Sequence, residues 1–226
     1  MRRASMFETL DEQSAVRIYQ EKFPESAKHS VANAIQGGCE ACLGVLQSMD
    51  AMGIPRSKYF NIAQTLGYNV NRLLTKDIDE NNFTDLTYYE DNTGHGRPIV
   101  HYRVGIEGNN IFDLHIKKNR SARNLPHAAG YRIQEAKQNE EILLGFPDVE
   151  IKHTIFMIVT FNHKRFRPEY MQIGIADSQY KRWLCRWDLM EFVQPDYVEH
   201  MQKEYKGDLE EQMEKIQKEY KLEMRD

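Results

Sequence analysis

Glu150 and Lys152 are a pair of residues whose types and spacing could do chemistry on one face of a strand. They stand two positions apart, just before the strand-length apolar run from Ile155 to Val159. Because alternate residues of a strand point to the same face, the carboxylate and the ammonium group are expected to converge. The same two residues would also serve as an ordinary cross-strand charge pair with no part in catalysis.

Glu150-Ile151-Lys152 resembles the metal-binding strand of PD-(D/E)XK nucleases, in which an Asp on a neighbouring strand shares a face with Glu-x-Lys. The resemblance implies a metal-dependent endonuclease in which Asp113 and Glu150 bind Mg²⁺, which polarises the phosphate and activates water. Lys152 would be the third catalytic residue and would stabilise the developing charge. The spacing from Asp113 to Glu150 is longer than in that family, and no proline precedes Asp113. Three other acidic residues could replace or join Asp113 as ligands: Asp148, Glu140 and Glu141.

Residues 62–74 resemble a helix-turn-helix, with Gly67 at the turn and a small polar residue capping the second helix. The resemblance implies that Asn69, Asn71 and Arg72 read DNA bases, since Asn suits adenine and Arg suits guanine. Plain packing between two helices is the alternative interpretation of the same residues.

Positive charge is concentrated in the middle of the chain. Residues 115–186 carry 13 Lys and Arg against 7 Asp and Glu, although the whole chain has a net charge of −4. Two predicted loops in this segment, the second at the tip of a hairpin, are expected to bind nucleic-acid phosphates electrostatically. Their candidate residues are Lys117, Lys118, Arg120, Arg123, Lys164, Arg165 and Arg167. The alternative is that the loops are only solvated and deter aggregation.

Cys39 and Cys42 form a C-x-x-C pair on the apolar stripe of a predicted helix, so we expect them to pack, with zinc binding or redox chemistry as alternatives. Three cysteines in all are too few for a disulfide framework and favour a reducing compartment. No apolar run approaches the roughly 18 residues of a membrane span, and no signal peptide is visible. The sequence therefore predicts a soluble, cytoplasmic protein with no membrane contact.

The pattern of apolar residues predicts an α+β fold: a helical part over about residues 9–76, then a mixed or antiparallel sheet with one or two helices, then a long C-terminal amphipathic helix. The expected divisions are 1–80, 84–194 and 195–226. Helices are predicted near 15–23, 30–52, 57–67, 69–75 and 133–144, and strands near 86–89, 99–106, 111–116, 149–161 and 170–176. Residues 182–192 fit either type. Gly37 and Gly38 either split the second helix or mark close packing.

The C-terminal segment has an apolar stripe at helical spacing from Val198 to Tyr220. Such a helix could pair with a second copy, giving a homodimer, or lie along its own domain. Together these features favour a nucleic-acid-associated protein, a metal-dependent nuclease of PD-(D/E)XK type. The alternatives are a non-enzymatic protein-binding inhibitor or regulator, and a helix-turn-helix transcription regulator.

Overall fold

In the computed structural model, which describes residues 10–53, 60–81, 83–91, 99–106, 109–140 and 154–194, six strands form one sheet in chain order. The strands are β1 (Leu86–Asp91), β2 (Ile99–Ile106), β3 (Asn109–Lys118), β4 (Ile155–Lys164), β5 (Arg167–Ala176) and β6 (Trp183–Asp188). Neighbouring strands are antiparallel, except that β3 and β4 are parallel. The sheet is therefore mixed.

The described residues also form four α-helices: α1 (Glu12–Lys22), α2 (Glu25–Ala51), α3 (Phe60–Asn81) and α4 (Gly130–Ala136). None of these helices has the length and apolarity needed to cross a membrane. A parallel strand pair needs a crossover connection, and α4 lies in the connection from β3 to β4. The predicted α+β class and mixed sheet are confirmed, whereas the helix predicted for 195–226 lies outside the described residues.

The sheet buries residues on both faces. On the face that we call the helix face, Phe112 and Leu114 pack in one hydrophobic cluster with buried residues of α1, α2 and α3. On the opposite face, the α4 face, Phe156 packs with Ala136 of α4. Because β4 is covered on both sides, residues 155–161 are all buried, as expected for a central strand next to a parallel neighbour.

Gly37 and Gly38 lie where α2 crosses α3, and α2 continues through them without a break. A Cβ on Gly38 would lie 2.7 Å from Cγ2 of Val70 and 3.2 Å from its backbone nitrogen. Such a contact is too short for a real side chain, so glycine is what allows α3 to approach this closely. Of the two predicted alternatives, close packing is the one observed.

The helix-turn-helix prediction for 62–74 is wrong in its geometry, because α3 is one α-helix through Gly67. The stripe that packs on the core continues across the glycine without a shift in phase; its members are Leu66, Val70, Leu73, Leu74 and Ile78. A mid-helix glycine costs only about 1 kcal/mol, less than the burial of that stripe contributes. Asn69 Nδ2 donates to Cys42 Sγ (3.5 Å) and Asn71 Oδ1 accepts from the Tyr102 hydroxyl (3.0 Å). These two predicted base readers are thus half-buried and hydrogen-bonded within the protein, and Arg72 beside them is also half-buried.

Alanine substitutions at two helical glycines are expected to have opposite effects on stability. Gly67→Ala should raise the free energy of unfolding by about 1 kcal/mol, because no other part of the described structure lies within 4 Å of the added methyl group. Gly38→Ala should lower it by about 1–3 kcal/mol, because the methyl group overlaps Val70. Urea unfolding of both variants measures the difference. If Gly67→Ala destabilises the protein, residue 67 lies in a turn and α3 is not continuous.

Candidate metal centre

Three potential metal ligands meet on the α4 face of β2 and β3: His101, Asp113 and His115. One ligand atom from each lies within 4.8 Å of the other two. His115 Nε2 is 2.7 Å from His101 Nδ1, and His101 Nδ1 is 3.8 Å from Asp113 Oδ1. Each of the three residues is at most 8% exposed.

The strands bring these residues together through alternation and pairing. Asp113 and His115 are two positions apart on β3, so both point to the α4 face while Leu114 points into the helix-face core. Arg103 of β2 pairs with Asp113, and the same register continued by two residues sets His101 opposite His115. The centre is therefore built on two adjacent strands of the sheet interior, which hold their side chains rigidly.

Glu135 of α4 adds a second carboxylate. Its two oxygens lie 3.3 Å from His115 Nε2 and 3.9 Å from His101 Nδ1. The Glu135 side chain is 19% exposed, against 5% for each imidazole, so it lies on the side of the centre nearest to solvent. From there it could act as a fourth ligand or accept a proton from a water molecule on an ion.

Burial, together with the neighbouring His101, lowers the pKa of His115 to about 3, and the nearby Arg132 and Lys117 act in the same direction. His115 is therefore neutral near pH 7. Metal binding requires a neutral imidazole, so a cation would not have to displace a proton from this residue. Without a cation, an N–H of one imidazole donates to the facing nitrogen of the other.

Tyr89 of β1 contacts two of the three potential ligands. Its hydroxyl donates to Asp113 Oδ2 (3.1 Å), and its ring stacks on the His101 ring at 4.7 Å. Burial and Asp113 raise the pKa of Tyr89, so the hydroxyl keeps its proton. The other oxygen, Asp113 Oδ1, is buried with no hydrogen-bond partner among the described residues. Leaving such an atom unpaired is costly, and a bound cation would satisfy it.

Cationic side chains flank the centre. The Arg103 guanidinium lies 4.0 Å above the Tyr89 ring, and Lys117 follows His115 on the α4 face of β3. Arg132 is buried and donates to the Tyr131 hydroxyl and the His127 carbonyl. Positive charge around a metal site favours the approach of an anionic substrate.

Of the predicted catalytic residues, Asp113 lies in the centre, whereas Glu150 and Lys152 lie outside the described residues, as do Asp148 and Glu141. In the register of β3 and β4, Asp113 pairs with Phe156. The β4 residue beside Asp113 is thus apolar. The neighbours that could complete a site around Asp113 are instead two histidines that the sequence analysis did not single out. The signal that could have found them is Asp-x-His on one predicted strand and a histidine on the strand before it.

The basic residues predicted to bind nucleic acid are all exposed, and both loops lie at one end of the sheet. Lys118 Nζ lies 2.7 Å from His163 Nε2, and the Tyr170 hydroxyl of β5 donates to the Asn119 carbonyl (2.7 Å). Lys117, Lys118 and Arg120 therefore lie at the same end of the sheet as Lys164, Arg165 and Arg167. Arg123 lies farther along the first loop, near Arg182 and Arg186.

The tip of the hairpin between β4 and β5 is held in an uncommon conformation. Arg165 and Phe166 have φ values of 51° and 60°, in the left-handed region that non-glycine residues rarely occupy. The backbone N–H of Phe166 donates to His163 Nδ1 (3.1 Å), and the two rings stack at 4.9 Å. These contacts hold the tip so that Arg165 is presented outward.

Cys39 and Cys42 are buried in α2, as expected for packing residues. Burial raises the pKa of the Cys39 thiol to about 12 and also raises that of Cys42. Redox chemistry and zinc binding both need the thiolate, which such pKa values disfavour. Among the described residues, no cluster of potential metal ligands includes either cysteine.

Comparisons with known proteins supply no family for this chain. No protein-family model matches it, and neither does any curated protein or solved structure. The chemistry of the candidate centre is therefore the basis for assigning a function.

Proposed function

We propose that the protein is a metal-dependent hydrolase that acts on phosphate esters of nucleic acid, with one transition-metal dication bound by His101, Asp113 and His115. The observation that carries the proposal is the burial of these three ligands with one donor atom of each within 4.8 Å of the others. Two imidazole nitrogens and one carboxylate oxygen suit Zn²⁺, Fe²⁺ or Mn²⁺. Mg²⁺, which prefers oxygen ligands, suits this set less well.

Three protein ligands leave coordination positions for water and substrate. A dication there would lower the pKa of its bound water and polarise a phosphate oxygen. Glu135, 3.3 Å from His115 Nε2, is the proposed general base that takes the proton of that water. Tyr89 positions the Asp113 carboxylate through its hydrogen bond to Oδ2.

The proposed substrate class follows from charge. Arg103, Lys117 and Arg132 surround the centre, and the exposed cations of the two basic loops extend this surface. A polyanion such as a nucleic acid would gain affinity because these residues neutralise its phosphates and its counterions are released into solution. Glu150 as a further ligand and Lys152 as a charge-stabilising residue stay part of the proposal. The proposal also includes a homodimer formed through residues 195–226 and a cytoplasmic location.

A structural ion in a non-enzymatic inhibitor or regulator is the second candidate function. The closeness of Glu135 to both imidazoles favours it, because a fourth protein ligand would close the coordination sphere. Glu135→Gln separates the two roles. If Glu135 is a general base, the substitution lowers the rate of cleavage while the ion stays bound. If Glu135 is a ligand, the substitution lowers the affinity for the ion.

The test is a cleavage assay with EDTA-stripped protein, single- and double-stranded DNA and RNA, and Zn²⁺, Mn²⁺, Co²⁺ or Mg²⁺ added in turn. Cleavage with a transition metal is expected, with a loss of roughly 10²–10⁴-fold in Glu135→Gln and abolition in Asp113→Asn. Glu169→Gln, an exposed carboxylate on β5, is the matched control and should retain activity. Binding of the ion without cleavage of any substrate would overturn the hydrolase and leave the structural ion.

A further inference from the structure

A second candidate site is the cleft of about 830 Å³ between the loop that follows β3 and the start of β6, which we call the β6 cleft. Its charged walls carry four permanent cations against one carboxylate, Glu12. The cations are Arg123, Lys181, Arg182 and Arg186. An excess of like charge in a concave, partly enclosed surface focuses a positive potential, so the cleft is suited to an anion.

The cationic side chains of the β6 cleft remain accessible to a ligand. Arg182 is 75% exposed, and its Nε lies 3.9 Å from Asp177, a long and weak ion pair. Arg123 is exposed and has no side-chain partner among the described residues. Arg186 donates to the Ala122 carbonyl, which fixes the loop wall and keeps the guanidinium at the cleft.

Aromatic residues form another part of the wall. Trp183 lies against the β5 backbone, since a Cβ on Gly174 would come within 2.8 Å of its ring carbons Cε3 and Cζ3. The Trp183 indole Nε1 is buried without a hydrogen-bond partner among the described residues, and the Tyr180 hydroxyl faces the Arg132 side chain. A buried indole N–H normally finds a partner, so this wall of the cleft keeps one polar group unsatisfied.

The turn before β6 is built to present these side chains. Asp177 Oδ1 accepts from the backbone N–H groups of Lys181 (2.6 Å) and Arg182 (3.3 Å). Tyr180, which lies between Asp177 and Lys181 in the turn, has a φ of 56°, which is uncommon for a bulky residue. One carboxylate therefore holds a strained turn that places an aromatic ring, two cations and Trp183 in succession.

We infer that the β6 cleft binds a nucleotide unit, with its phosphate held by Arg123, Arg182 and Arg186 and its base against Trp183. Guanidinium groups pair with phosphate oxygens, and an indole ring offers a stacking surface to a base of any type. A free nucleotide and a nucleotide of a single strand share this chemistry. The inference is independent of the metal centre, which lies on β2 and β3.

Tryptophan fluorescence provides the test, because the two tryptophans have separate surroundings. Trp187 stacks on Tyr19 at 3.6 Å, where it packs against the helix-face core, so the Trp187→Phe variant reports from Trp183 alone. With EDTA present, this variant is titrated with AMP, UMP, a 15-nucleotide single strand and inorganic phosphate. Quenching by AMP, UMP or the strand is expected, and Arg123→Ala with Arg182→Ala should weaken it roughly tenfold to a hundredfold.

The outcomes separate the sources of the ligand. Quenching by AMP or UMP supports a free nucleotide, and quenching by the strand alone supports single-stranded nucleic acid. No quenching by any nucleotide probe, phosphate binding as tight as nucleotide binding, or unchanged affinity in the double Arg variant would each overturn the inference. Arg17→Ala with Lys22→Ala, which removes two exposed cations of α1, is the charge-matched control and should bind like the parent. Because EDTA removes any bound ion, a negative result in this titration does not contradict the metal centre. A negative result for the metal centre likewise does not contradict the nucleotide site.

Discussion

Adding Zn²⁺ to the EDTA-stripped protein is expected to raise its melting temperature by about 8–16 °C when the free ion stands at about a thousand times its dissociation constant. An ion that binds only the folded state stabilises it by about 4 kcal/mol at that concentration. For a chain of this size each kcal/mol corresponds to about 2–4 °C. Thermal unfolding followed by circular dichroism measures the shift.

Variants of the ligands connect this shift to the centre. Asp113→Asn combined with His115→Gln should abolish it, because two of the three donor atoms are then lost. His127→Gln is the matched control, since His127 is exposed and outside the centre, and it should keep the whole shift. A shift that persists in the double variant would place the ion elsewhere, and its absence from the wild type would mean that no ion binds.

Acidification is expected to destabilise the metal-free protein through His115. Its pKa is about 3 in the folded state and about 6.5 in an unfolded chain, so the unfolded chain takes up the proton first. The stabilising contribution of the neutral, buried ring is complete above pH 6.5 and is lost as the pH falls from about 6.5 to about 3. Within that window the uptake of this one proton lowers the free energy of unfolding by at most about 1.4 kcal/mol for each pH unit of acidification.

His115→Gln removes this titration and should flatten the pH dependence of stability between pH 6.5 and pH 4. Urea unfolding of wild type and variant at several pH values gives the comparison. Carboxylates titrate in both proteins, so the difference between the two curves isolates the histidine. Parallel curves would mean that His115 is not held neutral by its surroundings.

The periodicity of the sequence was sufficient to predict the main elements. The strand predicted at 99–106 is β2 without change, because its alternating apolar residues face one core. The helix predicted near 30–52 begins earlier, at Glu25, since Pro24 can precede a helix and Ala27 extends the buried stripe by one turn. The turn predicted at Gly67 failed because glycine weakens a helix by less than tertiary packing stabilises it.

Asp113 was predicted as a ligand, but its partners could not be found from spacing alone. Near the β2–β3 turn, Gly105 pairs with Asn110, whereas Arg103 pairs with Asp113. A β-bulge therefore gives β3 one extra residue, Ile111. Without that residue His101 would pair with Leu114 and point to the helix face, since a one-residue slip reverses the faces. Chain spacing alone does not specify such a bulge, so the sequence placed the two histidines on neighbouring predicted strands without showing that they face each other.

X-ray absorption spectroscopy at the zinc edge of the Zn²⁺-loaded protein tests the central claim most directly. If His101, Asp113 and His115 bind the ion, two imidazole nitrogens should appear at about 2.0–2.1 Å beside oxygen ligands at about 2.0–2.2 Å. His115→Gln should then remove one imidazole contribution. Sulfur ligands at about 2.3 Å, or a spectrum without imidazole, would place the ion outside this centre and contradict the assignment.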